Sequence, residues 1–473
     1  YDKMTEWSVM TVDFVNAPTS NELMGYQEMA KRFNVKFNFE LVSSADYATK
    51  LNLVLSSGNP PYCIYGGNLN KYYGTGIVVD LTDLLEKYGQ DTLRQIRRYP
   101  GADKNAKTDE GRYFFFPRLM EGFDPLMMAI YKPWLDELGL DVPETTEELY
   151  IALKAMKTLD PKIIPWTRGQ WHTGVHALQQ PIYLAYGTFN TWFHFAEGEY
   201  LFGPYERREE MREALKYLNK CYEEGIIDKE FLFVDHDTYM QKLANGQVGF
   251  VYGWTGGDQW QQDQNGDWIE PPQWVIVPAL KGPKGHRYSE RLDILGVGIH
   301  IMNTHPDPVK AVQFFNWLYT DEGIEFTNWG IKGVTYVEEN GEKKLTDMIR
   351  KHERGPMNGM RANGFFMNNF PNVTDPKVLE QMFAPEVVRG IKANEPFYRA
   401  LNPVLSPTQE EIDIETQLGA DIITLIDEML PKFVTGDADI DTEYDKYIEQ
   451  LEKMGVQKYI DNVKKQYERW LKR

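Results

Sequence analysis

The sequence predicts an α/β protein of two domains, and three observations predict it. Its 473 residues exceed what one hydrophobic core spans, so two units of roughly 150 to 250 residues are expected. Near the amino terminus the segments alternate strand, helix, strand, helix, strand, the pattern of a parallel sheet with helices on its faces. From about Asp413 onward the pattern is helical.

Trp7 to Phe14 alternates apolar and polar residues as a strand does, and Asn16, Pro18 and Ser20 form the loop that follows. Ser20 can cap a helix carrying Leu23, Tyr26, Met29, Ala30 and Phe33 on one stripe. Val35, Phe37, Phe39 and Leu41 alternate strictly and make a second strand. Asp46 opens a helix with Tyr47, Leu51, Val54 and Leu55 on its face, ended by Gly58. Tyr62 to Tyr65 is a third strand, closed by Gly66, Gly67 and Asn68. Gly111 to Pro117 reads as a hairpin arm of aromatics and Glu121 to Pro125 as a turn.

After this turn come a short helix from Lys132, stopped at Gly139, and a capping box at Thr145 and Glu148 that opens a helix to about Leu159. Pro165 to Phe195 has little clean period, which predicts loops and short helices. Glu206 to Glu224 and Thr238 to Leu243 are helices. Trp268 and Trp274 bracket the prolines of an extended linker. Leu292 to Met302 is strand-like, Asp307 to Tyr319 a helix, and Val337 to Leu345 a hairpin turned by Asn340-Gly341. Helices over Asp413 to Met429, Thr442 to Met454 and Val456 to Trp470 complete the chain.

Composition narrows the function. A net charge of −19 argues against nucleic acid, whose recognition needs clustered Lys and Arg, and fits a neutral or cationic ligand better. The 12 Trp, 28 Tyr and 24 Phe are more than two cores need, so some belong at surfaces or in a cleft. No apolar run is long enough to span a bilayer. The chain opens on Tyr1 without Met and without a charged-then-apolar leader, the expectation for an exported chain whose signal has been removed. Cys63 and Cys221 are expected to be two separate buried thiols.

The most informative stretch is Asn245 to Trp260. Val248 to Tyr252 reads as a buried strand between Asn245-Gly246 and Gly253, and it delivers Trp254, Thr255, Asp258 and Trp260 just past its end. In open α/β sheets ligands sit beyond the carboxyl ends of strands. Two indoles, a hydroxyl and a carboxylate there suit a sugar, whose C–H faces stack on rings while its hydroxyls need fixed polar partners.

Seven stretches in this order carry a resemblance: Tyr47 to Gly58, Trp134 to Leu149, Tyr222 to Asp228, Asn245 to Phe250, Pro308 to Leu318, Trp329 to Tyr336, and Lys432 to Asp441 leading into Gly455. Together they resemble the extracellular solute-binding proteins of bacterial ABC importers, in particular the sugar-binding lipoproteins of Gram-positive bacteria. The resemblance implies a periplasmic-binding-protein-like α/β fold of two lobes around a ligand cleft, with a hinge the chain crosses several times. Its implied division is residues 1–124 with 292–360 in an N-terminal lobe, and 125–291 with 361–473 in a C-terminal lobe. It also implies a receptor held at the outer face of the membrane by a lipid anchor that hands an oligosaccharide to permease subunits; a monomer is expected, with no cofactor and no metal in the ligand site.

The expected ligand contacts are Trp166, Trp171, Trp192, Trp254, Asp258 and Trp260 from the second lobe, Phe14, Asn16 and Asn68 from the first, and Arg361 near a hinge crossing. Each Trp could equally pack a core. Arg291, Asp293, Arg361 and Asn363 could serve structural ion pairs instead. His172, His176 and His194 lack a zinc pattern. Asp263, Asn265 and Asp267 have calcium-loop spacing, but Gly266 falls one place early and Trp274 stands where a Glu is needed, so a hairpin turn is favoured. Asp437, Asp439 and Asp441 lack the glycine altogether, and Asp441 reads as a helix N-cap. Two alternatives stay open: a glycoside hydrolase using Glu197 and Glu199, and a peptide receptor on the same fold.

Overall fold

In chain order the strands are β1 (Thr5–Val12), β2 (Val35–Val42), β3 (Cys63–Tyr65), β4 (Phe116–Leu119), β5 (Leu126–Tyr131), β6 (Ile164–Trp166), β7 (Trp192–His194), β8 (Tyr200–Phe202), β9 (Val248–Trp254), β10 (Trp274–Val277), β11 (Leu295–Ile301), β12 (Tyr336–Glu339) and β13 (Glu342–Leu345). This computed structural model describes residues 3–14, 17–67, 69–122, 126–168, 178–254, 259–291 and 293–473, with Pro100 by its backbone alone.

The first sheet has the order β2-β1-β3-β11-β4. β1 runs parallel to β2 and β3, while β11 returns antiparallel between β3 and β4. Trp7, Val9, Phe37, Cys63 and Tyr65 face one core, and Met10 and Ile64 face a smaller one on the other side. This is the two-residue period of a strand covered on both faces. The second sheet has the order β10-β5-β9-β6. Met128, Ile130, Phe250 and Tyr252 point into its larger core, and Met127, Ala129 and Val251 into the opposite one. That double burial is why residues 248–252 carry no polar alternation.

The helix Met24–Phe33 begins after Leu23, not at a Ser20 cap; the Ser20 hydroxyl accepts from the Glu22 N–H instead. Its first turn is met from elsewhere, because the Gly25 N–H donates to the Asn363 carbonyl at 2.9 Å. A Cβ on Gly25 would lie 2.0 Å from the Gly364 carbonyl oxygen. Gly25→Ala is expected to cost about 1 to 3 kcal/mol, the usual range for overpacking; thermal unfolding of that variant checks it.

Four segments tie the sheets together. The chain passes from β4 towards β5 at Met120, and from the second sheet to β11 by way of residues 289–291 and 293–294. A third segment lies beside β4, where Leu119 and Val373 form a parallel bridge. A fourth pairs Tyr398 with Ser289. Arg399 fastens it by an ion pair with Asp293 at 3.1 Å and by donating to the Arg291 carbonyl at 2.6 Å. Asp293 therefore serves structure, as an ion-pair reading of it expects.

Beyond Tyr319 the chain is shared between the cores: Met367, Phe370 and Val373 return to the first one. Trp329, Tyr336, Leu345 and Ile349 join the cluster on the outer face of the second sheet, whereas Ile324 stays against the first core and Glu322 pairs with Arg32. Phe326 is the pivot, with its ring 5.2 Å from Trp317 on one side and 5.2 Å from Phe365 on the other.

The C-terminal helices pack into the larger core of the second sheet through Ile422, Leu430, Tyr444 and Ile460. Asp439, not Asp441, caps the helix Ile440–Lys453 by accepting from the Thr442 N–H; Asp441 sits in its first turn and pairs with Lys216 at 2.5 Å. The last helix, Val456–Leu471, ends against the helix Pro100–Ala106 of the first lobe. There Trp470 Nε1 donates to Asn105 at 2.7 Å, and Arg469 and Arg473 both pair with Asp109, at 2.9 and 2.7 Å.

Candidate ligand cleft

Strand direction locates the cleft. The carboxyl ends of β1 and β3, the end of β4 and the start of β11 share one edge of the first sheet. On the second sheet Trp254 ends β9 opposite Leu126, the first residue of β5. Because the chain runs directly from β4 to β5, these two edges meet at the crossings. An open depression of about 620 Å³, lined by Trp134, Glu137, Lys162 and residues 245–247, lies at the other end of β6 and β9 and is remote from this edge.

Among the expected contacts, Trp254 and Phe14 stand at these edges, each half-buried. Trp254 flanks the cluster that contains Met127 and Met360. Asn16, Asn68, Trp171 and Asp258 lie outside the described residues, as do His172 and His176. The other three tryptophans are packed. Trp166 is 0% exposed, edge-on to Phe250 at 5.3 Å, because the short inner strand β6 turns its side chain into the core. Trp260 is buried in the outer cluster, having turned back onto the lobe. Trp192 stacks on Tyr200 at 4.9 Å and donates to the Tyr459 hydroxyl at 3.2 Å, which ties the β7–β8 hairpin to the last helix.

The alternatives can be placed as well. Glu197 and Glu199 sit on the exposed turn of that hairpin, engaged with Tyr288 and Arg207. His194 uses both ring nitrogens, with the Leu401 carbonyl at 2.6 Å and the Tyr467 hydroxyl at 3.0 Å. Asp263 accepts from the N–H groups of Asn265 and Asp267, Arg350 pairs with Asp267 at 2.5 Å, and Gln262 bridges Trp268, so this acidic run forms a hairpin turn. Among the described residues no three His, Cys, Asp or Glu side chains gather as metal ligands. Cys63 and Cys221 are free and buried, in different cores. Burial pushes the Glu290 carboxyl at the crossing above its usual range, against the pull of Arg399 and the Tyr252 hydroxyl.

One residue of this edge escaped the sequence reading. Arg118 of β4 is 8% exposed, a single charge within the apolar run from Tyr113 to Met120. A charged residue inside a strand of that kind is the signal that could have found it.

Comparison with known proteins agrees with this architecture. The bacterial extracellular solute-binding protein family matches residues 17–325, and a domain of unknown function (DUF3502) matches residues 410–472. The fructooligosaccharide ABC transporter substrate-binding protein FusA of Streptococcus pneumoniae is 23% identical over 95% of this chain and 87% of its own. The polygalacturonan/rhamnogalacturonan-binding protein YtcQ of Bacillus subtilis is 22% identical over 98% and 92%. The crystal structure of the alginate-binding protein AlgQ2 without calcium ion superposes with a TM-score of 0.81 at 22% identity, over 99% of both chains. Two open sheets with their carboxyl edges at shared crossings and a family match over most of the length lead to one statement: the chain belongs to the bacterial extracellular solute-binding proteins.

Proposed function

We propose that the protein is the receptor of an ABC importer, capturing an oligosaccharide between its lobes and delivering it to a membrane permease with the ligand's bonds intact. The observation that carries this reading is the placement of Trp254. An indole at the end of β9, opposite the entry to β5, offers a stacking face where ligands of open α/β sheets sit. The names of FusA, YtcQ and AlgQ2, all saccharide binders, support the ligand class.

In this proposal the first lobe is residues 3–122 and 293–319 with the returning segment 367–373, the second is 126–291 with 329–362 and 376–473, and they close around the ligand by a hinge motion driven by its higher affinity for the closed form. Phe14 and Trp254 contribute from the described edges, and Asn16, Asn68, Trp171 and Asp258 are proposed contacts on the sequence alone. The receptor acts as a monomer at the outer face of the membrane, held by a lipid anchor. The exposed, engaged positions of Glu197 and Glu199 favour binding over hydrolysis.

Calorimetry against a panel of xylo-, manno- and gluco-oligosaccharides and acidic oligosaccharides, with an assay for new reducing ends, tests the reading. Saturable binding without turnover is expected; turnover would turn the protein into a hydrolase, and peptide binding alone would move it to another ligand class. Trp254→Ala is expected to cost about 1 to 3 kcal/mol of affinity, by analogy with aromatic stacking on bases. Unchanged affinity in a folded variant would remove Trp254 from the site.

A further inference from the structure

Arg118 and Arg361 reach the same spot from different elements. Arg118 lies on β4, and Arg361 on the helix Pro356–Ala362 that precedes the third crossing. Arg118 Nη1 donates to Asn368 Oδ1 at 3.4 Å and Arg361 Nη2 to the same oxygen at 3.3 Å. Both contacts are at the long limit of a hydrogen bond. A guanidinium carries five N–H donors and no acceptor, so one shared amide oxygen, with the Tyr65 hydroxyl beside Arg118, leaves most of that capacity unused. Among the described residues, Arg118 Nε and Arg361 Nε are buried with no acceptor, and Asn369 Oδ1, next to the shared amide, is buried with no donor.

Charge makes the arrangement more pointed. Neither guanidinium has a carboxylate in ion-pair contact among the described residues, and each faces the other. Burial and the Arg118 charge both disfavour the Arg361 cation and lower its pKa to about 9, which still leaves it charged at neutral pH. Two adjacent cations, Arg118 buried and Arg361 half-buried, without a counter-ion among the described residues are costly, because the low-dielectric surroundings strengthen their repulsion and remove their hydration. The Phe366 ring, 5.8 Å from the Arg361 guanidinium, softens this only in part.

The backbone is shaped for Arg118. Phe116 and Leu119, three residues apart, both lie in the first core, a spacing a regular strand cannot give. The irregularity is taken up by a bulge in which Gly296 and Val297 of β11 oppose Arg118. Bulges of this kind re-aim a side chain. Val297 is 56% exposed and Met120 is half-buried, so the bulge and the end of β4 border open space at the edge where Trp254 and the crossings meet.

We infer that Arg118 and Arg361 form an anion subsite of the cleft, and that the oligosaccharide it takes carries a carboxylate, as a uronic acid does. The inference rests on the sugar-receptor reading and names its ligand class. A carboxylate supplies two oxygens with about four lone pairs and a plane that matches the guanidinium fork. The net charge of −19 repels an anion from a distance, but salt screens that repulsion beyond about 10 Å while contact pairs in a partly buried site persist.

The test is calorimetry of the full chain with linear trigalacturonate, its methyl ester, and maltotriose and xylotriose as neutral sugars. Trigalacturonate should bind at least ten-fold more tightly than its ester. Arg118→Gln and Arg361→Gln should each weaken it about 30-fold, the scale of truncating one partner of a buried charge pair. Arg361→Lys, which keeps charge and loses the fork, should fall between. Thermal unfolding without ligand reports whether each variant folds, and trigalacturonate should raise the melting temperature of the wild type and not of the double Gln variant. Equal binding of acid and ester, or folded variants that bind trigalacturonate as the wild type does, would overturn the subsite. Tight binding of neutral sugars alone would overturn it and leave the sugar-receptor reading intact, whereas failure of every sugar would overturn both.

Discussion

Acidification from pH 7 to pH 5 is expected to weaken the first lobe by about 2 kcal/mol for each of two histidines. His300 on β11 and His305 just after it are each 4% exposed. Burial lowers both from the ordinary 6.5 to about 4. The Tyr73 hydroxyl holds His300 Nε2 at 2.9 Å, and the edge of the His305 ring meets Trp7 at 4.8 Å. Between about pH 6.5 and 4 the unfolded chain binds protons that the folded chain refuses, so the free energy of unfolding falls as pH falls. The contribution is fully present above 6.5 and disappears towards 4. Glu290, whose carboxyl is pushed up, works in the opposite direction at the crossing, so the histidine share must be isolated. The double variant His300→Gln, His305→Gln should show a flatter pH dependence than the wild type in urea denaturation; parallel curves would mean that both histidines titrate as they do in the unfolded chain.

Trp166→Ala should lower stability by about 3 to 5 kcal/mol, the range for emptying a large aromatic from a core, and leave ligand affinity per folded molecule unchanged. The indole is fully buried beside Phe250 and joins the cluster of Met156, Leu153 and Ile227. Its Nε1 has no acceptor among the described residues, so Trp166→Phe should cost less, since it shrinks the side chain and also removes an unsatisfied donor. Urea unfolding of both variants, with calorimetry on the folded fraction, separates a core residue from a cleft residue. Lost affinity at full stability would put Trp166 back at the cleft.

This contrast shows where the sequence was legible. Periodicity carries the elements that bury one or both faces. The alternation from Val35 to Leu41, the apolar run from Val248 to Tyr252 and the capping box at Thr145 all have local causes and appear where those causes predict. The two-lobe plan and its crossings followed from the order of such pieces and from the family resemblance. Direction of a side chain is another matter. Trp166, Trp192 and Trp254 are equally rich in apolar surface, and only the strand neighbours decide which one is packed away and which stands at the sheet's edge. Arg118 was missed because its setting is a bulge on β11, more than 170 residues away in sequence, and nothing local to Arg118 encodes it. The same holds for the start of the helix Met24–Phe33, whose first turn is met by Asn363 from the far side of the chain.

The last helix has a mechanical consequence. One end is packed in the core of the second lobe through Val456, Tyr459 and Ile460; the other is pinned to Asn105 and Asp109 of the first by Trp470, Arg469 and Arg473. The crossings beside β4 are one attachment between the lobes, and this pin is a second. A panel hung at two points swings about the line that joins them and does not sway sideways. In the proposed closing motion, two attachments of this kind confine the lobes to a swing about the line from the β4 crossing to the C-terminal arginines.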